Sequence, residues 1–197
     1  MPLDEAKIAA DLARRQAGAG SGDRMAIEKD RALILSGVME GVTTGAPVAL
    51  QIVNADHANW KGRAVPAYTT PRPGHADLAS AVKYGYDDVR PSLERASARE
   101  TAARVAVGAV CRTYLETFGI SVAGYVTVLG ETEARLDGLP LAERVARARR
   151  SEVQCPDPDA AAQMARAIEA AKSAGETLGG VLEIVAAGVP AGLGSHV

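Results

Sequence analysis

Aromatic side chains are scarce in this sequence: of 197 residues, one is Trp, one is Phe and five are Tyr. A core with so few rings must be filled mostly by Ala, Val, Leu and Ile. Cysteine is equally sparse. Cys111 and Cys155 stand alone, with no C-x-x-C pair and no histidine near them in sequence. That argues against a disulfide framework or a zinc finger and fits a reducing, cytoplasmic setting. Nor does one sign of charge dominate. The chain has 22 Lys+Arg against 24 Asp+Glu, for a net charge of −2, with the basic residues spread over both halves. A broad nucleic-acid surface is therefore not expected. No apolar run approaches the roughly 20 residues that cross a bilayer. The opening stretch MPLDEAKIAADLARRQ also lacks a basic and then apolar leader, so no membrane partner is expected.

What remains is ordinary globular material, 47% hydrophobic and 23% charged. The length suits one domain burying roughly 70% of its unfolded surface. Ile8 and Leu12, four apart in LDEAKIAADLARRQ, predict a short amphipathic helix. The glycine-rich AGAGSGDR reads as a loop, MAIEKDRALILSG as two short strands, and APVALQIVNAD as a strand ending at residues 54–56. Residues 57–74 read as a long irregular connection, followed by a helix over residues 76–84. SARETAARVAVGAVCRTYLETFG carries a Ser97-x-x-Glu100 capping box and a closing Gly119, so a helix is expected from Ser97 on. Its polar positions Arg104, Gly108, Arg112 and Glu116 form a narrow stripe, which predicts that most of its circumference is covered. ISVAGYVTVLG reads as a strand. DPDAAAQMARAIEAAKSAG follows as a helix, with Asp157 as cap, Pro158 in the first turn and Gly175 as stop. LGGVLEIVAAGV is the final strand. Strands and helices alternate without a strict βαβ rhythm, which predicts an α+β (mixed α/β) fold.

The chemistry gathers around RPGHADLASAVKYGYDDVRPSLERASARE. Pro71, Pro73 and Gly74 stiffen the approach to His75, and Arg72 sets a guanidinium beside it. A fixed imidazole next to a cation suits proton handling beside an anion, although a surface histidine starting a helix is the plainer alternative. Asp77, Asp87 and Asp88 suggest metal ligands less well than arginine partners, because no second histidine lies at ligand spacing. Arg95 and Arg99 flank Ser97 at a helix start, where free N–H groups favour an anion. GAGSGD, flanked by Arg14, Arg15 and Arg24, lacks the preceding strand and following helix of a dinucleotide fingerprint. It can still wrap an anion. His57 and Trp60 carry no clear chemistry by position.

Six blocks in order, RRQAGAGSGDRMAIEKD, LSGVMEGVTTGAPVAL, RPGHADLASAVKYGYDD, ERASARETAARVAVGAV, CPDPDA and LGGVLEIVAAGVPAGLGSHV, resemble the chorismate synthases over nearly the whole chain. The resemblance implies a β-α-β sandwich, a homotetramer, and trans elimination of phosphate from 5-enolpyruvylshikimate 3-phosphate with reduced FMN. Whether the chain would draw reduced flavin from its own NADP-linked step is left open. By the same resemblance His75 is a catalytic histidine, and Arg95, Ala96 and Ser97 contact flavin. Arg15, Arg24, Arg72 and Arg99 would hold substrate anions. Ala19, Ser21 and Asp23 depart from the family's glycine-rich loop, where an arginine is usual. The family's opening strand with a second histidine and its C-terminal half have no counterpart here. Residues 1–197 are thus expected to form one incomplete domain with little activity by itself. A non-catalytic flavin- or substrate-binding fragment, or an assembly module, is the alternative.

Overall fold

The computed structural model describes residues 1–17 and 30–195. The glycine-rich loop with Arg24, the first half of the stretch 25–36, and His196 lie outside the described residues. Two compact units emerge. The first comprises Met1–Arg15 with the described residues up to Val110, and the second comprises the described residues from Cys111 on, with Gln16 and Ala17.

The first unit begins with α1, Glu5–Gln16, the expected amphipathic helix with Ile8 and Leu12 buried. Strand β1 (Ala32–Ser36) pairs antiparallel with β4 (Ala49–Ile52), in a register that sets Ala32 opposite Ile52 and Ile34 opposite Leu50. The two-residue strands β2 (Val38–Met39) and β3 (Val42–Thr43) form a small antiparallel pair between them. Gly37 links β1 to β2 at φ +83, where a Cβ would fall 2.6 Å from the Pro47 carbonyl oxygen. Only glycine fits there. Alternation puts Ala32, Ile34, Leu50 and Ile52 on one sheet face, against Ile8, Leu12 and the helix α5, Glu100–Glu116. Ala102, Ala106 and Ala109 are the small residues α5 offers to that core. Truncating Leu12, which is fully buried, would open a cavity at its centre.

Among the described residues this unit also has three short helices: α2 (His57–Trp60), α3 (Asp77–Tyr84) and α4 (Arg90–Arg95). Helix α3 matches the expected span and ends on Gly85 in the left-handed region, whose N–H reaches the Ala81 carbonyl. β4 stops at Ile52, short of residues 54–56. The connection after it holds a helical turn, because the Asn54 carbonyl accepts the His57 N–H at 3.2 Å and the Asp56 carbonyl accepts the Asn59 N–H at 3.0 Å.

Two expectations about α5 fail. The capping box does not form. Ser97 Oγ accepts the Arg99 N–H at 3.2 Å, while Glu100 pairs with Arg95 and Arg104, so the helix opens at Glu100 after a separate turn. The helix is also less covered than its narrow polar stripe suggests, since Val107 and Tyr114 are each more than half exposed.

The second unit is a three-stranded antiparallel sheet, ordered β6-β5-β7 (Thr132–Glu133, Ser121–Leu129, Gly180–Ala187), with helices α6 (Leu141–Ala148) and α7 (Pro158–Ala174). Helix α7 keeps all three of its expected signals. Asp157 accepts the N–H groups of Asp159 and Ala160, Pro158 opens the helix, and Gly175 closes it in the left-handed conformation. Met164 and Ala160 of α7 pack with Val153 and Cys155 over Val126 and Leu129. Tyr125, 2% exposed, donates to Glu183 across the β5–β7 pair and accepts from Arg144 at 3.5 Å. Helices with antiparallel sheets define an α+β fold, as expected.

Candidate functional site

The charged stretch that stands out in the sequence folds as a set of arginine–carboxylate clamps in the first unit. Arg72 grips Asp77 in a fork: Nε donates to Oδ2 at 2.9 Å and Nη2 to Oδ1 at 3.1 Å, while the Arg72 backbone N–H donates to Oδ2 at 3.0 Å. The Asp77 side chain is fully buried, whereas that of Arg72 stays 40% exposed. The clamp fixes one edge of the guanidinium and leaves the other outward. Asp88 does the same for Arg90, and it also accepts the backbone N–H groups of Arg90 and Tyr68. Val89 N–H reaches the Tyr68 carbonyl at 2.8 Å. The long connection is thereby folded back onto α4. Ser92 Oγ to Ser80 Oγ, 2.6 Å, ties α4 to α3.

A third clamp comes from a residue with no motif around it. Asp30, its side chain 2% exposed, takes one guanidinium from Arg99 and another from Arg15, the latter at 3.2 Å. Arg15 also donates to Thr101 Oγ1 at 2.9 Å and to the Ala98 carbonyl at 3.0 Å. Arg99 adds a bond to the Val53 carbonyl at 3.1 Å.

These elements enclose a cavity of about 630 Å³, a size ordinary for a small ligand. Arg72, Arg90, Arg99 and Ser97 line it on one side. Asn54, His57, Trp60 and Tyr68 line it from the long connection. Asp56 and Glu94 add two carboxylates to the lining, and the three guanidiniums, with a hydroxyl and the rings of Trp60 and Tyr68, suit a flat anion bearing phosphate or carboxylate.

Of the residues singled out in the sequence, the cavity brings together Arg72, Ser97 and Arg99. His75 lies outside its lining, exposed on the turn after Arg72, with Nδ1 2.9 Å from the Pro73 carbonyl oxygen. A carbonyl oxygen only accepts, so Nδ1 carries the proton there and Nε2 is the basic nitrogen. Arg95 and Ala96 are also outside the lining, the Arg95 side chain being 80% exposed and 3.6 Å from Glu100. Arg15 is only 10% exposed, on Asp30. Arg24 lies outside the described residues. Asp77 and Asp88 each serve an arginine, the partner the sequence favoured over a metal ion. Sequence reasoning passed over Asp30, Tyr68 and the roles of His57, Trp60 and Arg90, because pairs such as Arg15–Asp30, Tyr68–Asp88 and Arg99–Asp30, which join residues 15 to 69 apart, leave no local pattern.

The clamps carry a pH signature. The Arg72 guanidinium and backbone N–H hold the Asp77 carboxyl at about 2 against the upward push of burial, and the Arg90 guanidinium holds Asp88 at about 2. Unfolded, each carboxyl returns to about 3.9. Between these values the unfolded chain binds more protons, so the contribution is full above pH ~4 and is lost as pH falls through ~2. The urea midpoint should therefore drop between pH 5 and pH 2.5. An Asp77→Asn, Asp88→Asn variant should show a flatter acid limb, and an unchanged limb would assign the acid sensitivity elsewhere.

Arginine–carboxylate clamps around an anion-sized hollow, on an α+β frame, make a candidate phosphate- or carboxylate-binding domain. The model of the chorismate synthase family matches residues 1–197. The chorismate synthase of Symbiobacterium thermophilum is 54% identical over the whole chain, which covers 54% of that protein. That of Desulforudis audaxviator is 52% identical over 94% of the chain and 50% of its own length. A crystal structure of chorismate synthase superimposes with a TM-score of 0.78 at 41% identity, over 100% of this chain and 54% of that one. The chain belongs to the chorismate synthase family. It spans about half the length of the relatives it matches.

Proposed function

We propose that this chain supplies part of a chorismate synthase site, for the elimination of phosphate and a ring hydrogen from 5-enolpyruvylshikimate 3-phosphate. The observation that carries the reading is the convergence of Arg72, Arg99 and Ser97 on one cavity, in a chain matched by the family from end to end. Arg72 and Arg99 hold substrate phosphate and carboxylate, with their buried carboxylates keeping each guanidinium aimed. His75 holds or moves a proton at Nε2. Arg95, Ala96 and Ser97 contact flavin, and Arg15 and Arg24 add positive charge for the substrate anions. Reduced FMN is the required cofactor of an elimination with no net redox change. The donor set fits it: guanidiniums for its phosphate and flat rings for its ring system. A homotetramer in a cytoplasmic setting belongs to the same reading. A purely binding role is the second reading, favoured by the exposed position of His75 outside the cavity lining.

Calorimetric titration of the chain with 5-enolpyruvylshikimate 3-phosphate tests the anion assignment. Arg72→Lys and Arg99→Lys keep a charge for Asp77 and Asp30 but lose the planar fork. Each should weaken binding about tenfold, the worth of one charge-assisted contact. Arg95→Lys, outside the lining, should leave it unchanged. Equal affinity in all four proteins would remove the cavity from the substrate site.

A further inference from the structure

Trp60 is the only tryptophan of the chain, and it is 48% exposed on the cavity wall. A surface tryptophan with no role ordinarily lies flat on its neighbours or turns freely. This one is steered. Its Nε1 donates to Asp56 Oδ2 at 2.9 Å, and the other oxygen of the same carboxylate accepts Asn59 Nδ2 at 3.0 Å. Asp56 in turn is set by its own N–H, which donates to Asn54 Oδ1 at 3.1 Å. The indole edge is thus fixed by a charged acceptor while much of the ring remains open. Tyr68, equally 48% exposed, lines the same cavity, and its backbone is fixed by Asp88 and Val89.

We infer that Trp60, oriented by Asp56, is the stacking wall of this cavity for the planar ring of the bound ligand. On the reading above that ring is the isoalloxazine of FMN, and the inference rests on that reading. The division of labour is physical. Guanidiniums recognise phosphate and carboxylate by charge and fork geometry, and they discriminate poorly between flat and puckered rings. A fixed indole face rewards a flat, polarisable ring lying parallel to it. A ring stacked on an aromatic side chain typically gains roughly 1–3 kcal/mol, or about 5–150-fold in affinity. Asp56 is a positioning residue here. It lines the cavity beside the indole and acts by removing the indole's freedom to rotate away.

The test is titration of the chain with FMN, read by calorimetry and by the emission of Trp60, which reports this site alone. FMN should bind the wild-type chain and quench that emission. Trp60→Leu should weaken FMN binding about tenfold or more, with an unchanged melting temperature, since the indole is half exposed. Trp60→Phe should restore most of the affinity, because a flat ring is retained. Asp56→Ala, with the indole present but released, should fall between wild type and Trp60→Leu. Equal FMN affinity in wild type and Trp60→Leu would overturn the stacking role while leaving the flavin reading intact. No FMN binding to the wild-type chain would overturn both. Recovery with Phe separates a stacking face from a merely structural side chain, and weak binding by Phe equal to Leu would count against the inference.

Discussion

His75→Ala is expected to lower kcat about 10²–10⁴-fold in a hybrid enzyme where this chain replaces the matching 54% of the Symbiobacterium thermophilum protein. KM should stay within about threefold of the unmodified hybrid. The asymmetry follows from where the imidazole stands. It lies outside the cavity lining, with Nδ1 on the Pro73 carbonyl and Nε2 as its basic atom. It contributes no charge clamp to the ground state, so its removal costs little binding. A proton held or moved along the reaction path appears in kcat, whereas uniform binding appears in KM. His75→Gln, which keeps a hydrogen-bonding side chain without a titrating nitrogen, should be nearly as slow. If His75→Ala raised KM alone, the residue would be a binding or capping group.

The second large effect is on stability. Asp30→Ala should destabilise the chain by about 3 kcal/mol in urea unfolding, the low end for breaking a buried ion pair. Its carboxylate is 2% exposed and lies between the side chains of Arg15 and Arg99, which are 10% and 21% exposed. Removing it takes from two partly buried guanidiniums the carboxylate they share. Solvent reaches Arg99 in part, which moderates the cost. Asp30→Asn keeps the shape and loses the charge, so it should fall between wild type and alanine. A change below about 1 kcal/mol would show that the three side chains behave as an ordinary surface pair. The same substitution should loosen Arg99 at the cavity, linking the stability of the first unit to the anion site.

What the sequence revealed, and what it hid, divides along the range of the interactions. Helix α7 was legible because Asp157, Pro158 and Gly175 act within one turn of the residues they cap or stop. Helix α1 was legible from Ile8 and Leu12, whose spacing decides which face is buried. Ser97 and Glu100 carry a local signal too, but other partners just as near in sequence override it: Glu100 is drawn to Arg95 and Arg104, and Ser97 closes a turn on Arg99. The exposed face of α5 escaped for a different reason. Periodicity tells which positions share a face, not what covers it, and Val107 and Tyr114 remain open.

The site divides likewise. The resemblance pointed to Arg72, Ser97 and Arg99, and these do meet at one cavity. Trp60, Tyr68 and Arg90 reach that cavity because Asp88 and Val89 fold the connection back through Tyr68. Asp30 is not part of that lining, and it pairs with Arg99 of the cavity because two arginines, 15 and 69 residues away, converge on it. No spacing rule foresees such a meeting. Composition offered one hint in hindsight: where a chain has a single tryptophan, its burial or exposure is worth asking about first.

The central proposal is that this chain supplies part of a chorismate synthase site, and turnover tests it most directly. The hybrid described above should be assayed for chorismate and phosphate release from 5-enolpyruvylshikimate 3-phosphate with reduced FMN. The account predicts steady turnover that falls when His75 is replaced and needs higher substrate when Arg99 is changed to Lys. A folded hybrid that binds FMN and substrate yet forms no chorismate would contradict it, and would leave the chain as a binding module.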